Sequence, residues 1–335
     1  MKGWKLSEKK SLAEKTFEPV GELTKIRITK ALITLSDVLR YNAELESNNV
    51  CLGSYGIGIV SETTSNMFGL EKGKHVYIEP NRPCEQCYNC KNGEETKCSD
   101  LLTAGEDFDG FLADFATADA SKLFLLPESV SGKEALFIGH ISQALAIIDK
   151  LNVQKGEYVA IIGDDNLGII LAELLIYYQS VPILVGAHNE SLEIAKNSGV
   201  YYTLGPDDNW QKEIGSITGG RMAKNVVYIS DCGIPANKAF ALASFNAGVA
   251  FTGVSFKNNP VSMSLALKKQ LDVHCINCGF GNTASSINLL ANKAIDLSFL
   301  KLGNAVYNDV PQVFKTLSEE FEKKGTITET IVDLI

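Results

Sequence analysis

The chain has 335 residues, 45% of them hydrophobic and 21% charged, and its 31 basic and 40 acidic side chains leave a formal net charge of −9. That is enough length for one large domain or two ordinary ones, in a composition ordinary for a globular protein. No cluster of Lys or Arg interleaved with aromatics is present, which argues against nucleic acid as a partner. The most apolar stretch, 167–185, is interrupted by Glu173, Gln179 and Pro182 and is too polar to span a bilayer, so no membrane is expected either.

The opening MKGWKLSEKKSLAEKTF is charged throughout and lacks the apolar core of a signal peptide. The eight cysteines are therefore expected in a reducing cytoplasm. Short strand-like pieces follow, at Lys25–Thr29, Ile57–Val60 and His75–Ile78, between Gly- and Asn-rich turns, and they predict an irregular β domain. Next come Cys84, Cys87, Cys90 and Cys98, spaced C-x2-C-x2-C-x7-C in one polar loop. Four thiolates so crowded are what a tetrahedral zinc site requires. A pair of disulfides is the alternative, which a reducing compartment disfavours. One structural zinc per chain is expected.

The second half alternates strands and helices. Strands are predicted at Tyr158–Ile162, Pro182–Val185, Tyr201–Leu204, Asn225–Ile229, Val249–Val254 and Val273–Ile276. Helices are predicted at Leu167–Gln179, Glu190–Asn197, Gln211–Ile217 and Ala236–Phe245, with a last helix near 310–323. This rhythm argues for an α/β fold with a parallel, doubly wound sheet.

Directly after the first of those strands stands Gly163-Asp-Asp-Asn-Leu-Gly168, in the place of a G-x-G-x-x-G turn. The first glycine serves the tight turn and the last permits close packing of helix on strand. Asp165 replaces the middle glycine, where a carboxylate crowds and repels phosphate. Leu167 lies in the same turn. An acid about 20 residues past such a turn holds the ribose hydroxyls of NAD(H), and here the second strand ends in Gly186, with His188 close by. A small residue there leaves room for a 2′-phosphate, so the reading leans to NADP(H) over NAD(H).

These features resemble the medium-chain dehydrogenase/reductase superfamily, in particular its zinc-type alcohol, polyol and threonine dehydrogenases. The resemblance covers nearly the whole chain. Beside the cysteine lobe it rests on Gly73-Lys-His-Val76 with Glu79-Pro80, on the segment from Asp109-Gly110 to Phe115, on Leu126-Pro127-Glu128 and on Val153-Gln-Lys-Gly156. It implies a GroES-like β domain over 1–138, a Rossmann domain over 139–280 and a C-terminal return to the first domain over 281–335. It also implies a small-molecule substrate and a homodimer or homotetramer.

The departures bear on chemistry. Family members of this type hold a second, catalytic zinc through C-G-[ST]-D and G-H-E motifs and a third ligand before the Rossmann domain. Here the motifs read Thr34-Leu-Ser36-Asp37 and Gly53-Ser54-Tyr55, and near the third position, Ile138-Gly139-His140, only His140 could bind metal. Two hydroxyls and one imidazole make a poor zinc site, so the catalytic zinc is expected to be absent. Ser36, Tyr55 and His140 are then the candidate proton donors, and the resemblance to zinc-free members implies NADPH-dependent reduction of activated C=C bonds or quinones. Each has an ordinary alternative: Ser36 as cap of a helix beginning at Asp37, Tyr55 as a core aromatic, His140 as a satisfied core histidine. Two other functions stay open, a non-catalytic nucleotide- or ligand-binding protein and an alcohol or polyol dehydrogenase with a non-standard metal site using His140. Cys275 and Cys278 form a C-x-x-C at the end of the sixth strand, while Cys51 and Cys232 are expected as buried apolar residues.

Overall fold

The computed structural model describes residues 1–17, 23–46, 48–63, 69–254 and 259–334. The chain forms two compact units, one of Met1–Gly139, Thr283–Ala291 and Lys301–Ile335, the other of His140–Asn282 and Asn292–Leu300.

The first unit is built on a seven-stranded sheet. Its spatial order is Gly303–Val306, Thr330–Asp333, Thr24–Ile33, Tyr55–Glu62, His75–Ile78 and Leu123–Leu125, with Phe115–Ala118 pairing to Thr24–Ile33 off that path. Along Thr24–Ile33 the alternation of buried Ile26 and Ile28 with exposed Arg27 puts one face on the core. The neighbouring strand approaches so closely that a Cβ at Gly58 would overlap the Arg27 carbonyl. A hairpin of Lys2–Glu8 and Ser11–Thr16 adds to this unit. The amphipathic helix Val310–Lys324 buries Val310, Phe314 and Leu317, and its Phe314 ring lies 5.2 Å from that of Tyr41. Gly325, at φ +71°, ends it in the left-handed conformation that glycine takes without strain.

A short helix, Leu35–Tyr41, follows the long strand, with Thr34 as its N-cap. Ser36 therefore does not cap a helix beginning at Asp37. The helix starts two residues earlier because Asp37 reaches back to accept the Thr34 backbone N–H at 2.9 Å, which is half of a capping box.

The second unit holds a six-stranded parallel sheet in the order Tyr202–Leu204, Val181–Val185, Tyr158–Ile162, Ala223–Ile229, Ala243–Thr252, Asp272–Ile276. The central strands are near-continuous apolar runs because helices cover both faces of such a sheet. The helix expected over 236–245 is shorter, Asn237–Leu242, and the next strand begins at Ala243. Its end is set from outside: the Lys269 ammonium donates to the carbonyls of Phe240 (2.8 Å), Ala241 (2.9 Å) and Ala243 (2.7 Å). A cation thus satisfies carbonyls that a helix C-terminus leaves unpaired. Among the described residues no helix is long and apolar enough to cross a membrane.

Candidate functional site

The four cysteines of the lobe converge. One sulfur from each of Cys84, Cys87, Cys90 and Cys98 lies within 4.8 Å of the others, close to the ~3.8 Å spacing of a tetrahedral zinc–thiolate centre with bonds of about 2.3 Å. The Cys84 amide donates to the Cys98 sulfur (3.3 Å) and the Cys87 amide to the Cys84 sulfur (3.4 Å). Donation from the backbone N–H of Cys90, then of Ser99, lowers the Cys87 thiol to about 6, which favours the thiolate a metal needs. The residues fit a structural zinc, and no disulfide joins any of the eight cysteines. Cys51 and Cys232 are buried as expected, and burial pushes the Cys232 thiol up to about 11. Cys275 is exposed.

A second cluster lies in the same unit, where the zinc-type resemblance would place catalytic ligands. Asp37 is fully buried. Its Oδ2 accepts from the Thr34 amide and, at 3.0 Å, from the Thr34 hydroxyl; its Oδ1 accepts from the Gly53 amide at 2.9 Å. Thr34 Oγ1 lies 2.8 Å from Ser36 Oγ, which lies 3.1 Å from Ser54 Oγ. Burial pushes the Asp37 carboxyl above its ordinary range, against the pull of the Thr34 amide and of Arg40. The donor set here is three neutral hydroxyls around a carboxylate already committed to four donors, the Ser54 hydroxyl at 3.5 Å being the fourth, and it does not fit a catalytic zinc. Among the described residues, the cysteine lobe is the one group of three or more Cys, His, Asp or Glu able to hold a metal.

Of the three proposed proton donors, Ser36 is thus joined to Ser54 and through Thr34 to Asp37. Tyr55 follows Ser54 along its strand and packs its ring on Gly139, where an added Cβ would overlap the ring. His140 is buried and begins the other unit.

In the second unit the glycine turn has the backbone of a dinucleotide site. Gly163 sits at φ +133° with its α-carbon pressed on Ile229, where a Cβ would come within 2.8 Å, and a Cβ at Gly168 would overlap the Gly163 carbonyl oxygen. Both positions require glycine, and together they bring the helix Asn166–Tyr177 tight against the strand end. The Leu167 side chain is buried, so only its backbone can face a ligand. The backbone fits a dinucleotide, whose diphosphate would meet the Asp165 carboxylate. Asp165 is the N-cap of that helix and its Oδ1 accepts the Gly168 amide at 2.8 Å, one of the donors an anion would use.

The side-chain volume beside Gly186 is taken by Asp164. A Cβ at Gly186 would lie 2.5 Å from Asp164 Oδ2. Asp164 is buried; it accepts the His188 backbone N–H at 2.7 Å and lies 3.2 Å from His188 Nδ1. Sequence reasoning passed over Asp164.

The alcohol dehydrogenase GroES-like domain matches residues 22–128. An uncharacterized zinc-type alcohol dehydrogenase-like protein of Haemophilus influenzae is 27% identical over 273 residues, 81% of this chain and 80% of the relative. The structure of a short chain alcohol dehydrogenase (rspB) from Escherichia coli, complexed with NADH, superposes with a TM-score of 0.86 at 19% identity, covering 100% of this chain and 99% of that one. A putative zinc-binding dehydrogenase from Sinorhizobium meliloti bound to NADP gives a TM-score of 0.87 at 19% identity, covering 99% of both. An α/β chain with a GroES-like unit, a doubly wound parallel sheet and a four-cysteine lobe is an oxidoreductase scaffold of the dehydrogenase class. The chain carries the alcohol dehydrogenase GroES-like domain and is similar, over most of its length, to zinc-type alcohol dehydrogenase-like proteins.

Proposed function

We propose that the chain catalyses nicotinamide-dependent hydride transfer to an activated C=C bond, a quinone or a carbonyl without a catalytic zinc. The hydroxyl chain Thr34–Ser36–Ser54, standing where zinc-type relatives are expected to place metal ligands, carries this reading. The dinucleotide, when bound, supplies the hydride. The Gly163–Gly168 turn and the strand end at Gly186–His188 would hold it. Ser36 holds the proton to be delivered to the substrate. Ser54 and Thr34 keep the Ser36 hydroxyl oriented, a solvent water returns the proton that Ser36 gives up, and Asp37 locks both motif segments in place. Tyr55 is a second candidate donor, on the adjoining strand, and His140 a third. The cysteine lobe would hold one zinc whose role is to keep its loop folded. A homodimer or homotetramer in a reducing cytoplasm completes the proposal.

The test is elemental analysis of purified protein together with NADH and NADPH oxidation against enones, quinones and aldehydes. The expected result is one zinc per chain and turnover of at least one of these classes. Two zincs per chain would restore a metal-dependent polyol or alcohol dehydrogenase. A second reading, a binding protein that performs no chemistry, is favoured by Asp165 at the diphosphate position; any substrate-dependent hydride transfer removes it.

A further inference from the structure

We infer that Asp164 selects NAD(H) over NADP(H), doing from the glycine turn what an acid at the end of the second strand does elsewhere in this fold. The inference rests on the dehydrogenase reading above and deepens it.

In a doubly wound sheet the adenosine ribose lies outside the C-terminal end of the second strand, and an acid there discriminates against a 2′-phosphate. That strand here runs Val181–Val185 and pairs in parallel with Tyr158–Ile162, so that Ile162 and Val185 are register partners. The residues that follow them, Gly163-Asp164 and Gly186, therefore leave the sheet side by side. Gly186 has no side chain, and the Asp164 carboxylate takes the volume in which one would begin, with Oδ2 2.5 Å from the position of the missing Cβ. The carboxylate is fixed there: the His188 backbone N–H binds Oδ2 at 2.7 Å and the His188 ring nitrogen Nδ1 stands 3.2 Å from Oδ1. The acid is thus present at the strand end in space although it is missing from the strand in sequence.

Two physical effects act on a 2′-phosphate at this place. The volume beside Gly186 is already occupied, and the carboxylate field opposes added negative charge in a site partly shielded from solvent. A ribose bearing two hydroxyls carries neither penalty. The expected discrimination is on the order of ten- to a hundredfold.

The experiment is a fluorescence titration of the full chain with NADH and with NADPH, for wild type and for Asp164→Asn, which keeps the shape and one acceptor for His188 while removing the charge. Calorimetry of wild type with ADP-ribose and with its 2′-phosphate supplies a comparison that needs no variant. Wild type is expected to bind NADH at least about tenfold more tightly than NADPH, and ADP-ribose more tightly than its 2′-phosphate. Asp164→Asn is expected to narrow the NADH:NADPH ratio by strengthening NADPH binding. Equal or tighter NADPH binding by wild type overturns the inference and leaves the dehydrogenase reading intact. So does an unchanged ratio in a folded Asp164→Asn protein. Absence of binding by every dinucleotide and by ADP-ribose, in wild type and variant alike, overturns the dehydrogenase reading and the inference with it.

Discussion

Thr283 donates its hydroxyl to the buried carboxylate of Glu79, joining side chains 204 positions apart in the sequence. Both residues are almost fully buried, and the other carboxylate oxygen accepts the Asn81 amide at 3.3 Å. Burial raises the Glu79 carboxyl above its ordinary range, and the bonds from Thr283 and Asn81 only partly offset this. An acid raised on folding stabilises the fold fully below its unfolded value, and that contribution is lost as pH rises through the folded value. Glu79→Gln keeps an acceptor for Asn81 and a partner for Thr283 without a charge. The wild type is therefore expected to lose stability relative to Glu79→Gln as pH rises above the ordinary carboxylate value of 4.5. Urea midpoints of both proteins across that range measure it, and parallel pH curves would refute the assignment.

Removing one sulfur from the lobe tests its metal. Cys98→Ser leaves three thiolates and takes away the sulfur that accepts the Cys84 amide. Zinc content is expected to fall from one per chain towards none, and the melting temperature to drop by on the order of 5 °C. Elemental analysis and a thermal scan read both. Full zinc occupancy in the variant would mean that the metal sits elsewhere.

Asp165 and Asp164 are neighbours with separable effects. Asp165 holds the Gly168 amide at the helix N-terminus, where a diphosphate of either dinucleotide would lie. Asp165→Gly restores the missing turn glycine and frees that amide. NADH and NADPH are both expected to bind about tenfold more tightly, with their ratio unchanged. The titration that tests Asp164 reads this as well, and a gain for only one cofactor would contradict it.

Lys269 ends the helix Asn237–Leu242 with three charged hydrogen bonds. Lys269→Met keeps the apolar stem and removes all three donors. The expected loss is about 2 kcal/mol, given about 1.5–3 kcal/mol for bonds to charged groups and partial replacement by water at a site that solvent reaches. Chemical denaturation measures it, and a change below about 0.5 kcal/mol would show that water replaces the ammonium without penalty.

The parallel sheet was legible because its strands are apolar runs bounded by turn residues, as at Tyr158–Ile162 before Gly163. The cysteine lobe was legible because four ligands share one short loop. The N-terminal hairpin was not: Lys2–Glu8 and Ser11–Thr16 mix half-buried apolar residues with exposed charged ones, and no strong alternation marks them. The strand beginning at Ala243 was hidden because the lysine that stops the preceding helix lies 26 positions further on. The sequence shows no acid at Gly186, and the placement of the Asp164 carboxylate beside that glycine was hidden for a related reason. Two chain segments that each look incomplete become complementary only once the register of Ile162 and Val185 brings them together. The Thr34–Ser36–Ser54 chain was half visible: the hydroxyls were apparent, but not the buried carboxylate that arranges them.

The segregation of thiolates into the lobe and hydroxyls around Asp37 has a consequence for a cell short of zinc. On the proposed chemistry, scarcity of the metal shortens the lifetime of the molecule and leaves its pace unchanged. Each surviving copy works at full speed, and total activity falls in proportion to the number that remain folded.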